Sequence, residues 1–251
     1  MTELEDNVQI LVHPSADAVA EAIAARLIAR IAEVQDQGRV PQVCLTGGRI
    51  ATQAYQHVAD DGPRSPVDWR RVELWWGDER WVAADSDDRN DAPTLAQWQG
   101  VLDLDPERVH RMPATDSGLS LDDAADAYAA ELGDRRFDVC LLGVGPDGHV
   151  ASVFPEHPSS YAEGRVIGVR ASPKPPPERL SLTAEVINTS REVWFTVAGE
   201  DKAAAVAMAL LGGGAVQVPA AGVHGTDRSL WLLDREAASK LPSDLVQRGV
   251  I

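Results

Sequence analysis

No run in the 251-residue sequence approaches the roughly 20 consecutive apolar residues that a membrane span needs, so no membrane contact is expected. The first six residues, Met1-Thr2-Glu3-Leu4-Glu5-Asp6, are acidic and hold no apolar signal core, which predicts a cytoplasmic protein. Cysteine is scarce: Cys44 and Cys140 are the only two. Each lies in an apolar run and lacks metal-ligand spacing, so they read as reduced core thiols. Positive charge is in short supply as well. The chain has 23 Lys plus Arg against 39 Asp plus Glu, a net charge of −16, which disfavours nucleic acid, whose phosphates would be repelled. An anionic metabolite stays open, because screening over about 8–10 Å lets local charge decide binding. There is no G-x-S-x-G elbow, Walker loop or H-E-x-x-H pair, so neither a cofactor nor a metal is expected.

What is present is an alternation of strand and helix patterns. Val8-Gln9-Ile10-Leu11-Val12 reads as a strand. Ser15 can cap a helix on which Val19, Ile23, Leu27, Ile31 and Val34 recur at helical spacing, with Gly38 ending it. Gln42-Val43-Cys44-Leu45-Thr46 and Val72-Glu73-Leu74-Trp75-Trp76 are further strands, each stopped at a glycine. Residues 120–132 form a second capped helix, with Asp123 three residues after Ser120 and Gly133 beyond the end. The apolar run 137–145 predicts a strand buried on both faces. Val193-Trp194-Phe195-Thr196-Val197 and Ser229-Leu230-Trp231-Leu232-Leu233 complete the strands, and a polar helix closes the chain. The alternation predicts an α/β fold: an open, mainly parallel sheet with helices on both faces, Rossmann-like, in a single domain over residues 1–251.

Parallel sheets bind ligands at the carboxyl ends of their strands. Four polar segments fall there: Thr46-Gly47-Gly48-Arg49, Gly77-Asp78-Glu79-Arg80, Gly145-Pro146-Asp147-Gly148-His149 and Gly199-Glu200-Asp201-Lys202. If their strands are parallel neighbours, all four meet at one crevice. Gly47 and Gly48 end a strand and open a helix, where backbone N–H groups can face an anion. Residues 143–148 match G-x-G-x-x-G, but Pro146 inside the turn and Pro155 soon after leave no room for a dinucleotide-binding helix. Asp147, two residues before His149, can orient the imidazole and stabilise its charged form. His157 is a second candidate imidazole. Lys202, one of three lysines, opposes the helix dipole in the first turn of a helix unless an anion is bound as well. Arg179, Arg80, Asp78 and Glu79 supply further charge. The residues alone point to metal-free acid/base chemistry on a phosphorylated, oxygen-rich small molecule.

These motifs, over essentially the whole chain, resemble the 6-phosphogluconolactonases, within the wider group that includes glucosamine-6-phosphate deaminase. The most specific stretch is Gly143-Val144-Gly145-Pro146-Asp147-Gly148-His149-Val150-Ala151-Ser152-Val153-Phe154-Pro155, similar to the family's G-x-G-x-D-G-H-x-A-S-L-F-P. Pro177-Glu178-Arg179-Leu180-Ser181-Leu182-Thr183 and the three other polar segments match in the same order. Two positions depart: Arg49 stands where most members have a hydroxyl residue, and Arg89-Asn90 replaces the family's S-N, so only Asn90 carries over. The resemblance implies hydrolysis of 6-phospho-D-glucono-1,5-lactone to 6-phosphogluconate, the second step of the oxidative pentose phosphate pathway. It implies His149 as general base and Asp147 as its orienting partner. Arg80, Arg179 and Lys202 would then hold the phosphate, while Asp78 and Glu79 organise Arg80 or the sugar hydroxyls. Gly47, Gly48, Arg49 and Asn90 complete the expected site, in a monomer or weak homo-oligomer whose partner is the sugar-phosphate lactone. An amino-sugar-phosphate isomerase or deaminase is the nearer alternative, disfavoured by the arginine of G-D-E-R. A non-catalytic sugar-phosphate sensor would have no need of Asp147 and His149.

Overall fold

The computed structural model describes residues 7–247; the acidic segment 1–6 lies outside them. The chain opens with β1 (Val8–His13) and α1 (Ala16–Asp36), then β2 (Gln42–Leu45), α2 (Arg49–Asp61) and β3 (Glu73–Trp76). Next come β4 (Asp78–Arg80), α3 (Asp91–Trp98), α4 (Leu121–Leu132) and β5 (Val139–Leu142). The second half holds β6 (Val166–Val169), β7 (Arg179–Leu182), α5 (Ala184–Ile187) and β8 (Glu192–Val197), followed by α6 (Ala203–Leu210), β9 (Arg228–Asp234) and α7 (Ser243–Gln247).

Six strands form one parallel sheet in the order β1-β9-β8-β5-β2-β3. Its two faces follow the period-2 alternation of side chains. Val43, Leu45, Val139, Leu141, Trp194, Leu230 and Leu232 pack on one face with α1 and α2. Cys44, Cys140, Leu142, Phe195, Trp231 and Leu233 pack on the other with α4 and α6. Both thiols are free and fully buried. The two clearest helices start as their sequences predict. Ser15 Oγ accepts the Ala18 N–H at 3.2 Å and Ser120 Oγ accepts that of Asp123 at 3.2 Å, in each case satisfying an orphan donor of the first turn.

The structure adds a second sheet that the sequence pattern does not announce. Asp78-Glu79-Arg80 is not a loop but strand β4, paired antiparallel with β7, which pairs in turn with β6. The chain breaks for a single residue at Gly77, leaves the parallel sheet there and enters the small one. The strand predicted over 137–145 is shorter, because its backbone turns into the crevice at Gly143. No helix follows β5. Residues 143–183 make a long excursion through β6 and β7 before the chain returns as β8, the direct neighbour of β5.

Candidate active site

The carboxyl ends of β2, β5, β8 and β9 and the start of β4 surround a cleft of about 660 Å³, within the range of about 300–1,000 Å³ usual for small-metabolite sites. The four polar segments picked out in the sequence do converge there. Gly47, Gly48, Arg49, Asp78, Arg80, Asn90, His149, Arg179 and Lys202 all line it. Two expected residues do not: the Glu79 side chain is about 1 % exposed and lies beneath the floor, and Asp147 lines a smaller adjoining hollow with Phe154 and Pro173. His157 is also elsewhere, its Nδ1 near Ser159 Oγ at 2.9 Å and its Nε2 near the Arg170 carbonyl at 3.0 Å.

His149 is set by a tight turn. The Gly148 N–H donates to the Gly145 carbonyl and the Gly145 N–H to the His149 carbonyl, each at 2.9 Å. Pro146 at the second turn position fixes φ there, and Gly148 takes a left-handed φ of +87°. Gly145 cannot carry a side chain, because a Cβ would stand 2.0 Å from His149 Nδ1 and 2.4 Å from Asp147 Oδ1. Asp147 Oδ1 lies 2.5 Å from Nδ1. Burial alone would raise the pKa of Asp147, but the hydrogen bond and charge of His149, with Lys174 nearby, pull it down to about 2. An ionised carboxylate only accepts, so Nδ1 carries a proton and the lone pair of the neutral ring is on Nε2. Phe154 closes one side of the ring at 4.8 Å between centroids.

Opposite stands the amino end of α2. Gly48 is its N-cap with φ +104°, there is no side-chain cap and no acidic residue in the first turn. Its first N–H groups therefore face the cleft without intrahelical partners, as an anion-binding helix end requires. Arg49 is the first residue of that helix. Gly199 bends the β8 loop, its N–H held by Asp234 at 3.1 Å. Lys202 pairs with Asp201 at the end of the short turn Glu200–Lys202, one residue before α6 rather than inside its first turn.

The small sheet delivers the polar wall. Asp78 Oδ2 accepts from Ser152 Oγ at 2.7 Å, and the Asp78 carbonyl accepts from Asn90 Nδ2 at 2.9 Å. Beneath them Glu79 gathers the N–H groups of Arg80 (2.8 Å), Asn90 (2.6 Å) and Asp91 (3.0 Å). Burial, then the neighbouring Asp91, pushes its carboxyl up to about 7 against the opposing pull of Arg89 and of those N–H groups. Arg89 is buried and spent on Asp91 and the Met112 carbonyl, so it offers nothing to the cleft. Arg80 Nη1 donates to the Asp88 carbonyl at 2.6 Å. Arg179 is about 5 % exposed, and its Nε and Nη2 donate to backbone carbonyls of the proline loop.

Sequence reasoning passed over two groups: Lys174, which lines the cleft from that proline loop, and Asp234, which shapes the Gly199 bend. Neither stands in a polar segment directly after a glycine, the signal on which the search relied. Five cationic side chains (Arg49, Arg80, Lys174, Arg179, Lys202) line the cleft beside five anionic ones (Asp78, Glu200, Asp201, Asp234, Glu236), so the cleft is locally neutral in a chain of net charge −16. Among the described residues no three His, Cys, Asp or Glu side chains are grouped to hold a metal ion. No helix among them is long and apolar enough to cross a membrane.

The family model described as glucosamine-6-phosphate isomerases/6-phosphogluconolactonase matches residues 14–231. A 6-phosphogluconolactonase of Streptomyces coelicolor is 50 % identical over 258 residues, covering 96 % of this chain and 98 % of its own. One of Mycobacterium tuberculosis is 42 % identical over 246 residues, covering 93 % and 98 %. The crystal structure of a 6-phosphogluconolactonase from Thermotoga maritima superposes with a TM-score of 0.80 at 25 % identity, over 90 % of this chain and 99 % of that one.

Proposed function

The chain belongs to the family of glucosamine-6-phosphate isomerases and 6-phosphogluconolactonases, and from that premise we propose how its cleft hydrolyses 6-phospho-D-glucono-1,5-lactone to 6-phosphogluconate in the pentose phosphate pathway. The observation that carries the reading is His149 on the wall of a locally neutral cleft with Asp147 2.5 Å away, outside the cleft lining.

His149 Nε2 takes a proton from water as the water oxygen bonds to C1 of the lactone. The carbonyl oxygen becomes an oxyanion, and Asp147 stabilises the imidazolium that forms. The C1–ring-oxygen bond then breaks, and the imidazolium returns its proton to the departing ring oxygen. The new carboxylic acid releases its proton to solvent, so one water is consumed and the base is restored. Asp78 and Asn90 face the sugar hydroxyls, Arg80 flanks them, and the amino end of α2 with Arg49 and Lys202 receives the phosphate. Lactones hydrolyse readily, so a positioned base worth roughly 10²–10⁴-fold is sufficient acceleration. The reaction takes place in the cytoplasm, on a chain acting as a monomer or weak homo-oligomer.

The test is lactone decay followed by NMR on freshly generated substrate, with the protein and with His149→Ala. The unaltered chain should speed loss of the 1,5-lactone with matching 6-phosphogluconate, and the variant should lose at least about 100-fold in kcat with an unchanged fold. Decay at the spontaneous rate with a folded protein would overturn the reading and favour an amino-sugar phosphate substrate. Full activity in the variant would remove His149 from the mechanism.

A further inference from the structure

The loop of residues 172–177 is built more rigidly than a connection between two short strands needs. The Ser172 N–H donates to the Pro177 carbonyl at 2.9 Å, and Ser172 Oγ to that of Lys174 at 2.9 Å. The Lys174 N–H returns to Ser172 Oγ at 3.3 Å. Arg179, buried below, donates to the carbonyls of Lys174 (3.1 Å), Pro175 (3.1 Å) and Pro176 (3.3 Å). Prolines at 173, 175, 176 and 177 remove most of the remaining backbone freedom. Such a guanidinium is a strap. Its Nη1 alone is uncommitted to the loop, and it stands 3.9 Å from Asp78.

What the strap presents to the cleft is Lys174. Among the described residues its Nζ makes no hydrogen bond and no ion pair, its recorded bonds all being backbone ones. Burial lowers its pKa; the charges of Asp147 and Asp201 work the other way, and Lys202 and Arg179 lower it further. A half-buried ammonium held near a second lysine and an arginine gains from a further anion placed among them. Lys202 approaches from the β8 loop, and the uncapped amino end of α2 faces the same space. A dianion there would meet two ammonium groups and the helix end together.

We propose that Lys174 and Lys202 form the two-lysine clamp for the phosphate of the substrate, and that Arg179 acts by positioning the Lys174 loop. The assignment rests on the lactonase reading above for the identity of the anion. It departs from the sequence expectation, in which Arg179 grips the phosphate and Lys174 plays no part.

The experiment compares the unaltered chain, Lys174→Met, Arg179→Met, the double variant and Lys240→Met, on 6-phosphogluconolactone and on glucono-1,5-lactone. Lys240 is exposed and outside the cleft, so its variant reports loss of a lysine charge as such. Lys174→Met should raise KM for the phosphorylated lactone roughly 10- to 100-fold, the usual effect of losing one charge-assisted contact, with kcat within about twofold. Turnover of the unphosphorylated lactone should not change. Arg179→Met should raise KM similarly, and adding Lys174→Met to it should cost little more, since both act through one contact. Equal loss of kcat on both lactones in Lys174→Met would overturn the clamp and place the lysine at the reacting carbonyl. No change on either would overturn it too. If the unaltered chain hydrolyses neither lactone, the lactonase reading fails separately. Titration with inorganic phosphate then decides the clamp: weaker binding in Lys174→Met supports it, and equal binding refutes it.

Discussion

Replacing Asp147 by Asn tests the coupling on which the mechanism depends. The substitution keeps size and shape but removes the charge 2.5 Å from His149 Nδ1. In the folded protein the Asp147 carboxyl is held at about 2 instead of 3.8, a displacement of roughly 2 kcal/mol at 1.36 kcal/mol per pKa unit. The Asp147 side chain is 36 % exposed, and solvent screening reduces that to about 1–2 kcal/mol between carboxylate and imidazole. The same coupling stabilises the imidazolium in the transition state, so kcat/KM should fall roughly 5- to 30-fold. An asparagine that turns its NH2 toward Nδ1 would also select the tautomer with its lone pair on the wrong nitrogen, which adds to the loss. The assay is initial-rate lactone hydrolysis from pH 5 to 8, corrected for spontaneous decay. Its acidic limb should move to lower pH, because without the carboxylate more acid is needed to protonate the ring. Unchanged kcat/KM with an unmoved acidic limb would refute the coupling.

Gly47→Ala should cripple the site, because its Cβ would stand 1.9 Å from Asn90 Oδ1 and 2.4 Å from Cγ. Displacing that side chain from Asp78 should cost about 1–3 kcal/mol by urea denaturation and reduce kcat/KM, and a variant that keeps both would place Asn90 outside the site. Glu79→Gln should change how stability depends on pH. The folded-state pKa of Glu79 is about 7, above its ordinary value of 4.5. The native state therefore holds the extra proton between those values, and stability falls as pH rises through that window by up to about 3 kcal/mol. Denaturation at pH 5 and pH 7.5 should show a flatter dependence in the variant, and identical slopes would contradict the assignment.

Much of the parallel sheet was legible because its signals are local. Ser15 and Ser120 announce their helices within three residues, and the apolar positions of α1 repeat at helical spacing. The glycines after β2 and β3 mark where the cleft begins. The small sheet was not legible. Strand β4 has three charged residues and no alternation, and it exists because Leu180 and its neighbours, a hundred residues later, supply hydrogen-bond partners. The same non-locality hid the distinction between Glu79 and its neighbours, since adjacent residues of a strand face opposite ways: Asp78 reaches the cleft while Glu79 points below it. Sequence shows the charge of Arg179 but not its commitments, and Nε and Nη2 are taken by carbonyls of the proline loop.

The long excursion between β5 and β8 gathers most of the chemistry of the cleft into one stretch of chain. Asp147, His149, Ser152, Lys174 and Arg179 all arise from residues 143–183, whereas the uncapped helix end and Lys202 sit on segments that leave the parallel frame directly. Strands β5 and β8 are hydrogen-bonded neighbours, so the frame closes across the gap whatever the intervening chain does. The frame carries the helix end and Lys202, while a single stretch outside it carries the reacting pair Asp147 and His149 together with Lys174, so a change in that one stretch reaches both ends of a bound ligand at once.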